Sequence, residues 1–424
     1  MLAHSPPLPI VIDYHDKGHD FTAKDEEGIV LALQCRYRVR RVRLCMSVPN
    51  LRKFTTAMDE EYPILEHLII EPTTGSTGPN TTASMLESLQ APNLRHLILA
   101  DFSLSMQSRF LTSAVGLVTL CLFLDPSFQP NTLLQSVSFM PQLETLVIVF
   151  PSSVSHIVEI GLSESHTPIT THTVLPSLRL FSYEGGSAYL EALAGRIITP
   201  SLQQLRVYFF NQDTFPIPHL LQFVNTTENL RFGIARLKFS DKGVDVVFYP
   251  CGAMTYSFGI NVQCLCLNQQ VSSTAQIFSA LSQVISPVEH LILECEMHSL
   301  PHKGYSVVDR TEWRQLLRTF SNAKTLYVGN GIAEELSCFL PLAPDDGEHP
   351  LELLPELQEL EYSGSGDLGD TLTSFIDARR IIARPVILID SRSMPLNPSM
   401  PFTGKQLSKP GVLDPWVQTP HCIR

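Results

Sequence analysis

The sequence predicts an α/β fold built from one repeated unit, with a curved parallel sheet on its concave side and helices on its convex side. Three observations predict it. An apolar-x-x-apolar-x-apolar pattern recurs, as in Leu65-Glu66-His67-Leu68-Ile69-Ile70, Leu94-Arg95-His96-Leu97-Ile98-Leu99, Leu143-Glu144-Thr145-Leu146-Val147-Ile148 and Val288-Glu289-His290-Leu291-Ile292-Leu293. A proline often stands two residues ahead of it, at Pro63, Pro92, Pro141, Pro176, Pro200 and Pro355. Segments of helical periodicity fill the spaces between patterns. The patterns begin at Val39, Leu65, Leu94, Leu117, Leu143, Leu178, Leu202, Ile234, Val262, Val288, Ala323 and Leu357, about 29 residues apart with extremes of 23 and 35. That period is the upper end of the leucine-rich-repeat range. The expected architecture is a leucine-rich-repeat solenoid, an irregular array of about 12–14 units over residues 1–390.

Taken in order, Leu8-Pro9-Ile10-Val11-Ile12-Asp13 reads as a first strand ahead of the array. Residues 25–33 follow as a helix with acidic residues in its first turn, where the helix dipole favours them. Further helices are expected over residues 51–58, 82–89, 188–198, 217–224, 274–285, 311–320, 332–339 and 371–382. Pro, Gly, Ser and Thr mark the turns, as over residues 72–79. Residues 341–350 read as an exposed acidic loop, and residues 391–424 as a flexible proline-rich tail. Trp313 shares helical spacing with Leu316 and Leu317 and belongs in the core.

Composition narrows the function classes. With 44% hydrophobic and 17% charged residues the chain can bury a large core. The net charge of −12 argues against binding nucleic acid through its phosphates. No run of 18 apolar residues offers a transmembrane span, and the N-terminus lacks a signal-peptide pattern. Nine scattered cysteines, several within apolar runs, read as reduced and buried. A cytoplasmic or nuclear location follows as the expectation, and in such a compartment the Asn80 and Asn225 sequons carry no meaning.

Strand alternation assigns the faces. If Leu65, Leu68 and Ile70 face the core, then His67, Ile69 and Glu71 face the concave side. Carried along the array, the expected partner-binding residues are His67, Ile69, His96, Ile98, Phe123 and Val147 in the first part. Arg206, Tyr208, Arg236, Lys238 and Tyr327 continue the row. The same frame places Cys264, Cys266 and Asn268 there. The row is apolar at first, then basic and aromatic, then acidic at Glu359 and Glu361. An exposed apolar stripe of this kind marks a contact surface, unless loops or the tail cover it.

Candidate chemistry is sparse. Gly364-Ser365-Gly366-Asp367-Leu368-Gly369, followed by Asp390, has dinucleotide-binding spacing. Asp367 and Asp370 would repel a pyrophosphate there, so a plain repeat turn is the expectation. His290, Glu294, Cys295, His298 and His302, with Cys264 and Cys266, contain metal-ligand types without regular spacing. Strand alternation also turns Cys295 away from Glu294. Residues 13–20, rich in Asp and His, fit no calcium-loop spacing and read as a solvated turn. The arginines at 36, 38, 40, 41 and 43 splay to different faces and read as structural. No metal, no cofactor and no catalytic residue is expected.

Several of these motifs together resemble the fungal F-box/leucine-rich-repeat proteins, over roughly residues 1–390. The resemblance rests on Pro7-Leu8-Pro9-Ile10-Val11-Ile12-Asp13, Arg38-Val39-Arg40-Arg41-Val42-Arg43-Leu44 and Tyr62-Pro63-Ile64-Leu65-Glu66-His67-Leu68-Ile69-Ile70. Ala91-Pro92-Asn93-Leu94 and Met140-Pro141-Gln142-Leu143 continue it. It implies an intracellular, non-enzymatic protein–protein interaction scaffold, similar to the substrate-recognition part of a ubiquitin-ligase receptor. In that family an F-box docks on the adaptor of a cullin ligase and the repeats select the target. No F-box precedes Leu8 in this sequence, so the adaptor is an expected partner only if an upstream F-box exists. The expected partner is therefore a protein target of unknown identity, with no nucleic acid and no membrane, bound by a monomer. Two other readings are a nucleotide-binding enzyme using the glycine-rich loop at 364–369 and a truncated gene product without a partner.

Overall fold

Outside Ile234 and Val262, each apolar pattern opens with the same tight turn. The N–H of its leading residue donates to the carbonyl three residues back: Leu65 to Tyr62, Leu94 to Ala91, Leu143 to Met140, Val288 to Ile285 and Ala323 to Phe320. The proline two residues ahead occupies the second turn position, where its fixed φ suits the turn and its missing N–H costs nothing. The carbonyl after the leading residue then accepts two N–H groups from the next segment. Glu66 takes Arg95 and His96, both at 2.9 Å; Arg95 takes Val118 and Thr119 at 2.8 and 2.9 Å. Glu144 takes Arg179 and Leu180, Glu289 takes Lys324 and Thr325, and Lys324 takes Gln358 and Glu359. Side chains add a similar link two to three positions earlier. Asn93 donates to the Pro63 carbonyl at 2.6 Å, Ser177 to Pro141 at 2.8 Å and Asn322 to Ser286 at 2.9 Å.

The computed structural model describes residues 8–16, 21–73, 86, 88–100, 108–124, 128–151, 172–212, 214–253, 255–296, 310–329, 332, 336, 353–362 and 368–390. They form a mixed α/β structure whose strands are mostly parallel. The chain divides at Leu202 and Gln203 into two compact units.

In the first unit, strands β1 (Ile10–His15), β2 (Val39–Met46), β3 (His67–Pro72), β4 (His96–Leu99), β5 (Thr119–Phe123), β6 (Thr145–Val149) and β8 (Leu180–Gly185) pair in sequence, each parallel to the next. A separate short pair joins β7 (Thr173–Val174) and β9 (Ile197–Ile198). Helices α1 (Ala23–Gln34), α2 (Val48–Ala57), α3 (Arg109–Ser113), α4 (Pro130–Val137) and α5 (Ser187–Ala194) lie between strands. Thr22 and Asp25 form a capping box that fixes the start of α1. Leu68, Leu97, Leu120, Leu146 and Phe181 pair in register and are buried, forming one row of the core. Tyr189 of α5 packs on Phe150 and Tyr183 beneath β8.

The second unit holds β10 (Gln204–Phe209), β11 (Ile234–Ser240), β12 (Gly243–Tyr249), β13 (Phe258–Gln263), β14 (His290–Cys295), β15 (Thr325–Val328), β16 (Glu359–Tyr362) and β17 (Ile387–Asp390). Their order is β10-β13-β12-β11-β14-β15-β16-β17. Helices α6 (Pro218–Thr226), α7 (Leu267–Ala280), α8 (Ser282–Ile285), α9 (Arg310–Arg318) and α10 (Leu368–Ile381) connect them. Phe278 of α7 meets Phe248, and Trp313 of α9 meets Phe239, so these helices cover the core face of β11 and β12.

The structure departs from the expected repeat between Ile234 and Val262. No helix joins β11 to β13 there; β12 runs antiparallel between them. Asp241 and Lys242 form a two-residue turn, and Gly243 adopts φ +152°, where a Cβ would collide with the Val262 carbonyl. β13 consequently ends at Gln263, and Cys264, Cys266 and Asn268 leave the sheet. Cys264 is buried, and Cys266 is exposed at the residue before α7, where its side chain makes no capping hydrogen bond. Most of the expected helices at residues 332–339 and 82–89 lie outside the described residues, as do the acidic loop and the tail.

Arg379, fully buried in α10, holds the turn before β16. Its guanidinium donates to the carbonyls of Leu354 (3.1 Å), Pro355 (3.3 Å) and Leu357 (2.8 Å). Leu354 has φ +50°, an unusual conformation for a leucine, and the arginine pins it. Replacing Arg379 with Met strands these buried acceptors, so urea unfolding is expected to show a loss of about 2–4 kcal/mol.

Candidate protein-binding face

The strand residues that alternate with the core rows form an open face in each unit. In the first unit, His67, His96, Thr119, Thr145 and Leu180 share one register row. The imidazoles of His67 and His96 stack with centroids 4.4 Å apart and planes 8° from parallel. His96 Nδ1 lies 3.1 Å from the Thr119 hydroxyl. The next row is Ile69, Ile98, Cys121, Val147 and Ser182. Cys121, Val147 and Leu180 make a small second core on which Ile98, Phe123 and Val149 pack.

This placement keeps the expected face and corrects the expected access. Ile69 and Val147 are each only 6% exposed, so neither is a free contact residue. Period-two alternation determines which way a side chain points, but not how closely its in-register neighbours shield it. His67, His96, Ile98 and Phe123 are half-buried and do reach the surface.

In the second unit the open face is polar and its cations are engaged. Arg206 lies over the Tyr256 ring at 5.2 Å, and its Nη2 donates to Gln204 Oε1. Tyr256 reaches the face because β13 has Gly259 beneath it, where a Cβ would press on the ring. Tyr249 packs edge-on to Tyr256, and Arg236 holds both the Tyr249 hydroxyl and Glu294. The Arg236–Glu294 contacts are 2.9 and 2.6 Å. Although burial opposes it, this pairing raises the Arg236 pKa further. Lys238 pairs with Glu296 at 2.7 Å. Tyr327 sits in register between Ile292 and Glu361, and Glu359 lies in register with Thr325.

A cup of about 310 Å³ opens at the carboxyl ends of β10, β11 and β13, lined by Tyr208, Lys238, Ser240, Asp245, Asn261 and Glu296. That volume is the small end of the range for ligand pockets and suits one side chain. The sequence reading found Tyr208 and Lys238 but missed Asp245, Tyr249, Tyr256, Asn261 and Glu296. The signal was present: Asp241-Lys242-Gly243 between the alternating Leu237-Lys238-Phe239 and Val244-Asp245-Val246 is a hairpin signature.

The remaining motifs separate. His290 bonds Thr325 at 2.7 Å, while Cys295 pairs in register with the core residue Phe239. Among the described residues no group of three or more His, Cys, Asp or Glu side chains is placed to hold a metal. His298 and His302, most of the glycine-rich loop and residues 17–20 lie outside the described residues. The arginine run has local partners: Arg38 donates to the Leu8 carbonyl, Arg36 pairs with Glu60, Arg40 with Glu66 and Arg43 with Glu71. Among the described residues no helix is long and apolar enough to cross a membrane. No family model matches the chain, and no curated protein is significantly similar to it.

Burial raises the Cys45 thiol to about 11 and the Cys121 and Cys264 thiols to about 12, from an ordinary 9.0. Raised thiols contribute stability fully below pH 9, and that contribution is lost as pH rises through 11 to 12. Thiol labelling of native protein at pH 8 is expected to modify exposed Cys251 and Cys266 quickly. Cys45, Cys121 and Cys264 should label only after denaturant is added.

Proposed function

We propose that the chain is a leucine-rich-repeat solenoid that works as a non-enzymatic protein–protein interaction scaffold and binds a partner through the open faces of its units. The observation that carries this reading is the repeated turn with its doubly used carbonyl. It fixes successive strands in one register and leaves one row of side chains from each strand on the face away from the helices. Such a surface suits an extended partner better than a small substrate, because contacts are spread over many strands. The half-buried His67, His96, Ile98 and Phe123 supply apolar and aromatic contacts, while Arg206, Tyr208, Arg236, Lys238 and Tyr327 supply polar ones. Together with the resemblance to F-box/leucine-rich-repeat proteins, this supports a role as the target-recognition arm of a ubiquitin-ligase receptor. The adaptor contact would belong to an F-box.

Site-directed photo-cross-linking tests the reading. A benzophenone side chain at Ile98 or Tyr327 is expected to form a discrete protein adduct in lysate of the source cell. The same probe at Gln222, exposed on α6, should not. Equal adducts from all three positions, or none from the face, would contradict it.

A further inference from the structure

The stack of His67 on His96 is a contact whose sign depends on protonation. β3 and β4 pair these two residues in register, so the backbone ladder keeps them adjacent whatever the rings do. The rings lie with centroids 4.4 Å apart and planes 8° from parallel. Two neutral rings stack favourably at that distance, and one charged ring gains a cation–π contact with the other. Two charged rings would bring like charges to the same separation, at half-buried positions that water screens incompletely.

Among the described residues, the surroundings do not offset a second charge. Arg41 of β2 stands in register with His67, and Arg43 occupies the next row of the same strand. Arg95 immediately precedes His96. The two carboxylates of this region, Glu66 and Glu71, are already paired with Arg40 and Arg43. On the β5 side the neighbours are Thr119 and Cys121, and burial keeps the Cys121 thiol neutral. The Thr119 hydroxyl, 3.1 Å from His96 Nδ1, can give or accept a hydrogen bond. It therefore suits either state of the ring without cancelling its charge.

We propose that His67 and His96 form a pH-sensitive latch on the open face, which stays stacked with no proton or one proton bound and parts when the second proton binds. The second proton is held more weakly than by an isolated histidine, so the latch is closed at neutral pH. It opens as pH falls below the ordinary histidine range near about 6.5. The backbone ladder carries no titrating group, so opening alters the surface and leaves the strands paired. Both rings belong to the face assigned to a partner, so on the scaffold reading that contact depends on pH. The proton coupling itself does not depend on that reading.

NMR of the full chain with carbon-13-labelled histidine tests this, titrated from about pH 8 to about pH 4.5. The His67 and His96 ring signals are expected to move in two steps separated by more than about one pH unit. The nuclear Overhauser contact between the two rings should persist through the first step and vanish through the second. His67→Phe keeps a stacking ring that cannot be charged. There His96 should titrate in one step, at higher pH than the second step of the pair, with the ring contact retained to the end. His67→Gln should likewise raise that step, and it serves if the Phe variant does not fold. Joint titration of both rings in a single step with the contact kept would overturn the proposal. So would loss of the contact at the same pH in His67→Phe, since the second imidazole would then not be what opens the stack.

Discussion

The structure depends on one carbonyl, the one that follows the leading apolar residue of each turn. It accepts two N–H groups from the next segment, so the start of each new strand is set by the strand before it. An error of one residue would send every core leucine to the opposite face. The turn prevents that error with backbone alone, and the buried leading residue beneath it holds the turn closed. Proline ahead of the turn lowers the entropy of the unfolded chain at the same position. Asn93, Ser177 and Asn322 repeat the link with side chains. Sequence, turn, register and face assignment follow from one another in that order.

The second unit shows what happens when the rule is broken once. Where Gly243 admits a hairpin, β12 enters antiparallel, and the following loop folds Tyr256 back over Gly259. Arg206, Tyr256, Tyr249, Arg236 and Glu294 then form a chain of contacts across the open face. The most polar part of that face, and its cup, sit at the one interruption of the parallel pattern described in that unit. Binding sites commonly use such departures from regular pairing, because they bring residues from non-consecutive strands together.

Much of this was legible in the sequence. The Leu65–Ile70 pattern, the helix spacing and the acidic first turn of α1 read directly, because local periodicity and the helix dipole determine them. Arg236 reads onto the open face from strand alternation, and only the register of β11 and β14 brings Glu294 beside it. Three features escape the repeat spacing, each for a physical reason. The 28-residue interval from Ile234 to Val262 matches the repeat, so spacing hid a strand in place of a helix. The shielding of Ile69 and Val147 depends on neighbours from other strands. Arg379 stands near a helix C-terminus, where a cation usually serves the dipole and faces water; here it turns inward to three carbonyls.

Residue-resolved amide hydrogen exchange tests the central claim most directly. Arg95, Arg179 and Lys324 carry side chains that reach solvent, and their N–H groups are given to the doubly used carbonyls of Glu66, Glu144 and Glu289. The account predicts that these amides exchange as slowly as the core strand amides beside them. Exchange at the rate of unprotected loop amides would contradict it, since the turns would then not set the register of the strands.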